Sequence, residues 1–318
     1  MSYKYILEIQ TEYSLLGPLA SELIHNGPDN QVLVVTDTEK KKYVARASKR
    51  ENKGVLFEVE VLVYLASVDF SSPRLLKTKS GKYSIRVDNT EIVLFEYMTG
   101  WQVEKLEMEH LTTDLIERGA AKLGELHQVT KEMNITVPSR RTIFTEYDRL
   151  FTLNPDDLSR FKGYEVFLGQ ARSLYKQAQE IIHKDHGLYG VIHNDYRIQN
   201  LIFNNSDCFI IDFDWACPGP LLKDVGLAIA EWSLFARDTG PSREAITKFI
   251  DSYNRTAPRA ASYDKSLIFW VCFACLSDAC TFFVDVLEGK YSEKNIIDID
   301  QCYMYRKFTF FHKEFNDI

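Results

Sequence analysis

The sequence predicts an α+β fold in which a small antiparallel sheet is followed by a larger, mainly helical part. Two observations indicate this arrangement. Short apolar segments separated by polar turns dominate residues 1–98, whereas apolar residues recur mostly at helical spacing beyond Thr99-Gly100. The few strand-like segments of the second part end in the polar residues that carry chemistry. We therefore expect an N-terminal lobe over residues 1–98 and a C-terminal lobe over residues 99–318.

The elements of the N-terminal lobe follow from local patterns. Residues 31–36 and 42–47 are strand-like on either side of the polar turn 37–40, which predicts a hairpin. Apolar residues at helical spacing between 51 and 66 predict a helix. Two further strands are expected at residues 82–87 and 91–98.

One window of the C-terminal lobe combines strands with acidic and amide side chains. A short apolar run at residues 190–193 leads into a loop that contains Asp195, and strands are expected at 201–203 and 208–213. This path brings its start and end together, so that Asn200 and Asp212 would face one another across one metal ion. Asp195 would lie close to that ion.

These residue types match the needs of phosphoryl transfer, which requires a carboxylate beside the attacking hydroxyl and oxygen ligands for Mg²⁺. Asp195 is the candidate that orients the hydroxyl and accepts its proton. Asn200 and Asp212 carry the hard oxygen atoms that Mg²⁺ prefers. Asp214 is a candidate for binding a second ion or for holding the loop. His193 is expected to be structural, packing and bonding backbone carbonyls.

The window resembles the motifs of the aminoglycoside phosphotransferase family, which also holds choline kinases and homoserine-kinase-like enzymes. The family pattern H-G-D-x-x-x-x-N followed by I-D is similar to residues 193–200 and 211–214. Residues 123–127 and the segment from Pro218 to Asp224-Val225 are similar to further family motifs. The resemblance covers about residues 20–235. It implies a two-lobed protein-kinase-like fold, ATP and Mg²⁺ as cofactors, and a small-molecule hydroxyl as the phosphate acceptor.

Arg46 is the main departure from the pattern. Kinases place a lysine on the third strand, where it holds the α- and β-phosphates and pairs with a helix glutamate. Arginine also binds phosphate but is not interchangeable with lysine. A solvated arginine at a strand end is the alternative. We expect Glu58 to pair with Arg46, whereas Glu60 should point elsewhere on the helix.

Two other segments are candidates for nucleotide contacts. Residues 26–30, which end at Asn30, precede the predicted hairpin and resemble by position the short phosphate-covering loop of the family, although an ordinary turn explains them as well. Glu96 and Met98 end an apolar strand just before the lobe boundary. By resemblance they form the hinge, whose backbone would bond the adenine edge.

The acceptor side is less defined. Asp278 and Asp285 are seven residues apart, so one face of a helix could present both. Carboxylates and tryptophan rings suit an ammonium group. The alternative is that the tryptophans fill the core and that Asp285 caps a helix or faces water. The residues considered are Trp215, Glu231, Trp232, Trp270, Asp278 and Asp285.

Composition bounds the class of protein. The 318 residues carry a net charge of −7, and a nucleic-acid binder would usually be basic. No signal-peptide pattern is evident, and the apolar run 267–276 is expected to be too short to span a bilayer before Asp278. Cys272, Cys275 and Cys280 are expected to be buried free thiols. We expect a cytoplasmic protein without nucleic-acid or membrane partners, as a monomer or a homodimer.

The sequence thus favours an ATP-dependent small-molecule kinase, a phosphotransferase with an alcohol group as acceptor. By resemblance, the acceptor is an amino-sugar, an amino-alcohol or a homoserine-like compound, and a cationic acceptor is compatible with the net charge. The alternative is a catalytically silent kinase-fold protein with a structural or binding role, which Arg46 motivates. A protein kinase is not favoured, since no clear A-P-E segment is found.

Overall fold

The computed structural model describes residues 3–26, 30–48, 52–103, 112–184, 188–234, 240–290 and 298–317. The chain forms two compact units. The first contains Met1–Trp101, Asn134–Arg140 and Ile202–Asp214. The second contains Gln102–Met133, Arg141–Leu201 and Trp215–Ile318. Because each unit is assembled from several segments, the lobe division at residues 98 and 99 stays a prediction.

The first unit is built on one antiparallel sheet. Its strands are β1 (Ala20–Asn26), β2 (Asn30–Thr36), β3 (Lys42–Ser48), β4 (Ser84–Val87) and β5 (Thr90–Glu96). They pair in the order β1-β2-β3-β5-β4. The β2–β3 hairpin and the strands β4 and β5 agree with the sequence predictions. β5 ends at Glu96, so Met98 lies beyond the strand that was expected to contain it.

β1 was not predicted, and it changes the meaning of the segment before β2. Residues 20–25 are all exposed, so the strand has no buried face that a hydrophobic pattern could reveal. Because β1 pairs with β2, residues 26–30 join two strands of a hairpin instead of preceding the first one. Gly27, Pro28 and Asp29 of the expected phosphate-covering loop lie outside the described residues.

Because side chains alternate along each strand, the two faces of the sheet contact different parts of the protein. Successive side chains of a strand point to opposite faces. Leu33, Val35, Ala45 and Leu94 belong to a buried apolar cluster that includes Ile6 and Ile9 of the helix α1 (Tyr3–Glu12). Arg46 has the opposite parity on β3 and so leaves this cluster. The helix α2 (Asn52–Ser67), close to the predicted 51–66, supplies its partner.

The second unit is mainly helical in the described residues. Its helices are α3 (Thr113–Thr130), α4 (Thr145–Thr152), α5 (Pro155–Leu158), α6 (Tyr164–Lys184), α7 (Leu221–Ser233), α8 (Arg243–Asn254), α9 (Lys265–Leu287) and α10 (Tyr303–Asp317). α9 packs against α4, α7 and α10. It is therefore the centre of the helical core.

Four short strands, paired in two small sheets, contain or flank the acidic and amide residues of residues 189–220. β6 (Tyr189–Ile192) pairs with β9 (Cys217–Pro220) in an antiparallel ladder. β7 (Leu201–Phe203) and β8 (Cys208–Ile210) form a second two-stranded sheet. The expected strand 208–213 was too long. The extended chain stops after Ile210 because Asp212 adopts a positive φ of 65°, which a β-strand does not accommodate.

α9 extends beyond the apolar run 267–276 and carries both Asp278 and Asp285. Arg197 and Lys307 bind the Asp278 carboxylate, which lets the helix continue past it to Leu287. Within the described part of the chain, α9 is the one helix long and apolar enough to cross a membrane. The protein itself buries 83% of its most apolar window, as it would in a core helix. All six cysteines are buried free thiols, which confirms the prediction made for Cys272, Cys275 and Cys280.

Contact between α7 and α9 requires a glycine. A Cβ atom on Gly226 would lie 2.6 Å from the backbone carbon and 2.7 Å from the backbone oxygen of Trp270. Both contacts are with main-chain atoms, which cannot rotate away. The two helices therefore approach as closely as they do because position 226 lacks a side chain.

We predict that Gly226→Ala lowers the free energy of unfolding by about 1–3 kcal/mol, the usual cost of overpacking a core. The matched control is Gly169→Ala on the exposed side of α6, where nothing lies within 4 Å of the added Cβ. That variant should gain about 0.5–1 kcal/mol from helix propensity. Urea unfolding followed by circular dichroism measures both. Equal stability changes in the two variants would contradict the close approach.

Candidate active site

The loop after β6 carries Asp195, and its backbone has an unusual conformation. Asn194 has a positive φ of 66°. Asparagine tolerates this left-handed region better than most residues do. The family pattern has glycine at this place, which is the residue freest to adopt it. The Asn194 side chain is also held, because its Nδ2 donates to the Trp215 carbonyl at 3.1 Å and Lys223 donates to its Oδ1.

Asp224, in the first turn of α7, fixes the backbone of this loop. The N–H of His193 donates to its Oδ2 at 2.7 Å, and the N–H of Asn194 donates to its Oδ1 at 2.8 Å. The Asp224 side chain is fully buried, and His127 Nε2 lies 3.4 Å from its Oδ2. Burial alone would raise the pKa of Asp224, but His127, with Lys223 and His193, lowers it below the ordinary value. The carboxylate is therefore held in its ionised form.

Both oxygens of the Asp195 carboxylate accept hydrogen bonds. Arg197 Nε donates to Oδ1, and Asn200 Nδ2 donates to Oδ2 at 3.0 Å and to the Asp195 carbonyl at 2.8 Å. Asn200 lies in a single 3-10 turn, Ile198–Asn200. Because its amide nitrogen faces Asp195, its oxygen is the atom that remains suited to bind a metal. Asp195 and Asn200 thus lie together within the second unit, as the sequence predicts.

His193 has a structural position. Its side chain is fully buried, and its Nδ1 accepts a hydrogen bond from the Asp195 N–H at 3.3 Å. Through this nitrogen the ring bonds a backbone N–H, where bonding to backbone carbonyls was expected. His193 therefore supports the loop and does not line the pocket next to it.

A pocket of about 270 Å³ lies within the second unit, and Asp195 forms part of its wall. Side chains from the loop, from α4, α7, α9 and α10 complete it. They include Asn194, Arg197, Glu146, Trp215, Lys223, Asp278 and Met304. A cavity of this size with a carboxylate on its wall is suited to a small molecule that presents a hydroxyl group.

Arg197 and Lys307 join the acidic residues beside this pocket into one network. Arg197 donates to both oxygens of Asp278, at 2.8 and 2.9 Å, and to Glu231 at 3.2 Å. Lys307, only 1% exposed, donates to Glu231 and lies 3.4 Å from Asp278. Burial alone would raise the pKa of both carboxyl groups, but these two cations lower it. Both groups are thus held as carboxylates.

Sequence reasoning missed the two cations. Arg197 follows Asp195 by two residues, and that proximity was a usable signal. Lys307 gave none, because it reaches the network from a helix more than a hundred residues further along the chain. The expectations for Asp285 were wrong. It neither caps a helix nor faces water, because Arg149 binds it at 2.6 Å and Lys290 at 3.1 Å. Trp232 and Trp270 fill the core.

The first unit contains the residues expected at the nucleotide. Arg46 forms a buried ion pair with Glu58, and its Nη1 lies 3.6 Å from Asp212 Oδ1. Burial would lower the pKa of Arg46, but Glu58, followed by Asp214 and Asp212, raises it above the ordinary value. A solvated strand-end arginine is thereby excluded. Glu60 does not pair with Arg46, since its carboxylate accepts from Thr136 and from the Val137 N–H.

Two further predicted residues lie close together in this unit. Asn30 Nδ2 donates to Asp214 Oδ2 at 3.1 Å. Asp212, two residues earlier, keeps 45% of its side chain exposed. The structure therefore brings Arg46 and Glu58 close to Asp212, and it ties Asn30 to Asp214.

In the expected hinge, one of the two backbone hydrogen-bonding groups of Glu96 is already used within the protein. The Glu96 N–H donates to the Arg74 carbonyl at 2.9 Å. Glu96 is exposed at the end of β5, and Met98 is half-buried beyond it. An adenine edge at Glu96 would therefore have to use its carbonyl group.

Mg²⁺ needs several oxygen ligands around it. In the described part of the chain, no three His, Cys, Asp or Glu side chains form a group that could hold a metal ion. Asn200 and Asp212 are oxygen donors of the right kind, but they are too few alone. Mg²⁺ usually binds one or two protein carboxylates together with phosphate and water oxygens. Each of the two residues, Asn200 in the second unit and Asp212 in the first, is thus of a kind that fits an ion bound together with a nucleotide.

Comparisons with known proteins agree with this picture. A model of the phosphotransferase enzyme family matches residues 21–261. No curated protein sequence matches the chain. Among solved structures, the amicoumacin kinase hAmiN, in complex with AMP-PNP, Ca²⁺ and Ami, has a TM-score of 0.73 at 15% identity, covering 100% of this chain and 94% of that one.

Two other solved structures are similar. The microcompartment-associated aminopropanol kinase has a TM-score of 0.69 at 18% identity, covering 99% of this chain and 98% of that one. The ethanolamine kinase of Plasmodium vivax has a TM-score of 0.70 at 17% identity, covering 99% and 90%. These similarities establish the predicted protein-kinase-like fold of the α+β class.

We predict that Asp224→Asn lowers the free energy of unfolding by about 3 kcal/mol at pH 7, because an amide cannot replace a buried, paired carboxylate. The folded-state pKa of Asp224 is lowered, so its contribution is present above pH 3.8, the ordinary value, and is lost as the pH falls further. Urea unfolding of wild type and variant, from pH 7 down to about pH 3, measures the difference in their free energies of unfolding. The lower pH lies near the lower end of the pKa values that aspartates usually have in proteins. Asp251→Asn, on the exposed face of α8, is the control. A difference that stays constant on acidification would contradict the assignment.

Proposed function

The chain belongs to the phosphotransferase enzyme family, and from this membership we propose that it is a kinase that moves the γ-phosphate of ATP to a hydroxyl group of a small molecule. The observation that carries the proposal is the position of Asp195. Its carboxylate lies on the wall of a pocket of about 270 Å³, and Arg197 and Asn200 hold both of its oxygens. We propose that this pocket binds the acceptor and that the protein acts in the cytoplasm.

Asp195 would act on the acceptor hydroxyl. A carboxylate with both oxygens fixed loses little freedom when it accepts a further hydrogen bond, which favours one orientation of the hydroxyl. The hydroxyl proton would pass to Asp195 as its oxygen attacks phosphorus. Asp224, which holds the loop through the His193 and Asn194 backbone, would keep the position of this carboxylate constant.

The nucleotide would bind to residues of the first unit. Arg46, oriented by Glu58, is suited to hold phosphate oxygens through its planar guanidinium. Asn30 would fix the segment that contains Asp214, and Glu96 and Met98 would lie at the adenine. Asn200 and Asp212 would hold Mg²⁺, which neutralises phosphate charge when it is bound.

The names of the similar structures guide the choice of acceptors. Those proteins are described as kinases of amicoumacin, aminopropanol and ethanolamine. Amino-sugars, amino-alcohols and homoserine-like compounds therefore belong in a first panel of acceptors. Neutral hydroxyl compounds of the same size belong in the panel as well, because the lining of the pocket determines whether a cationic or a neutral compound binds.

A catalytically silent protein is the alternative, and the arginine at position 46 is its motive. The ion pair with Glu58 weakens that motive, since the paired guanidinium is buried and oriented. Calorimetry with ATP and Mg²⁺ separates the two functions. Absence of binding at millimolar nucleotide would favour the silent protein.

We predict that Asp195→Asn lowers kcat by about 10²–10⁴-fold, because the amide cannot accept the hydroxyl proton. ATP binding, measured by calorimetry, should be unchanged. The assay follows ATP consumption across the acceptor panel, and Asp251→Asn on α8 is the control. Wild-type turnover in Asp195→Asn would remove Asp195 from the reaction.

We predict that Arg46→Met raises the KM for ATP by about tenfold to a hundredfold, through loss of charge-assisted hydrogen bonds. Arg46→Lys should restore part of the affinity, because it keeps a cation beside Glu58. Arg86→Met, on the exposed face of β4, is the matched control. Thermal unfolding of each variant separates lost binding from lost stability. An unchanged KM in a folded Arg46→Met would place Arg46 away from the nucleotide.

A further inference from the structure

The charges beside the pocket bear on what it can bind. Three carboxylates line it in the described residues, those of Asp195, Asp278 and Glu146. Each is paired with a cation of the protein. Arg197 binds Asp195 and Asp278, and Arg141 binds Glu146 at 2.9 Å.

The pairing leaves the neighbourhood without an excess of negative charge. Among the charged side chains of the described residues that line the pocket or bind those that do, there are four carboxylates and five cations. The carboxylates are Asp195, Asp278, Glu146 and Glu231, and the cations are Arg197, Lys223, Lys307, Arg141 and Arg149. An ammonium group that entered would meet more like charges than opposite ones. It would also have to give up its hydration shell.

The tryptophan ring on the pocket wall, that of Trp215, is also already in contact with a cation of the protein. A tryptophan ring attracts a cation that lies over its face. The guanidinium of Arg141 lies 3.5 Å from the centroid of the Trp215 ring, so one face already holds a cation. Both features that would suit an ammonium group, carboxylates and a tryptophan face, are therefore taken by cations built into the chain.

We infer that the acceptor of this pocket is a neutral hydroxyl compound that carries no ammonium group. The inference rests on the proposed function and narrows its acceptor class. Arg197 has the central part, since it bonds Asp195, Glu231 and Asp278 at once and so stands where an ammonium group of the acceptor would pair. Polar side chains on the wall, those of Thr142, Ser277 and Thr281, are suited to bind hydroxyl groups.

The test compares choline with its neutral carbon isostere, in which carbon replaces the nitrogen. Calorimetry without nucleotide measures the binding of each compound. Wild type should show no preference for choline. Arg197→Gln removes one positive charge and leaves Asp278 and Glu231 to Lys307. This variant should gain choline affinity by at least about tenfold, the value of one favourable charge interaction, with the isostere unchanged. Arg197→Lys keeps a cation and should not gain.

Arg243→Gln, at an exposed ion pair with Glu314, is the matched control and should behave as wild type. A tenfold preference of wild type for choline, or no gain in a folded Arg197→Gln, overturns the inference, where tenfold corresponds to about 1.4 kcal/mol. Should Arg197→Gln not fold, the wild-type comparison decides alone. Because the readout is binding without ATP, its failure is distinct from a failure of phosphate transfer.

Discussion

One buried carboxylate, that of Asp224, holds the backbone on which the site depends. It accepts the N–H groups of His193 and Asn194, which would otherwise be buried donors without an acceptor there. The left-handed conformation of Asn194 is costly and persists only where the surroundings fix it. His127 of α3 bonds Asp224 and in turn lies 2.9 Å from the Tyr253 hydroxyl of α8. Three helices thus determine the conformation of one loop.

A second constraint acts on α9, the apolar centre of the helical core. An unpaired carboxylate in such a place would be neutralised or would destabilise the fold. Asp278 stays charged because Arg197 and Lys307 bring opposite charges from the loop and from α10. The same contacts tie the loop, α9 and α10 together. The same side chains therefore hold these elements together and neutralise the buried charge.

Local patterns predicted the parts of the fold that local physics determines. The hairpin at β2 and β3 and the helix α2 follow from hydrophobic period, and so does the pairing of Arg46 with Glu58, since helical spacing turns Glu60 away. β1 escaped because an exposed strand has no apolar period. The end of β8 was predicted wrongly because the backbone conformation of Asp212 cannot be read from the composition of the segment. The role of Lys307 in the charge network was not predicted, because only the tertiary structure brings it beside Asp278.

The pocket next to Asp195 draws its wall from two regions of the chain that differ in kind. Asn194 and Lys223 come from within residues 21–261, which match the family, whereas Asp278 and Met304 come from α9 and α10, beyond that match. Arg197 bonds both Asp278 of α9 and Asp195 of the loop. A substitution in the last two helices would therefore also reach the loop that holds Asp195, so that the proposed selectivity and the proposed chemistry of this pocket can only evolve together.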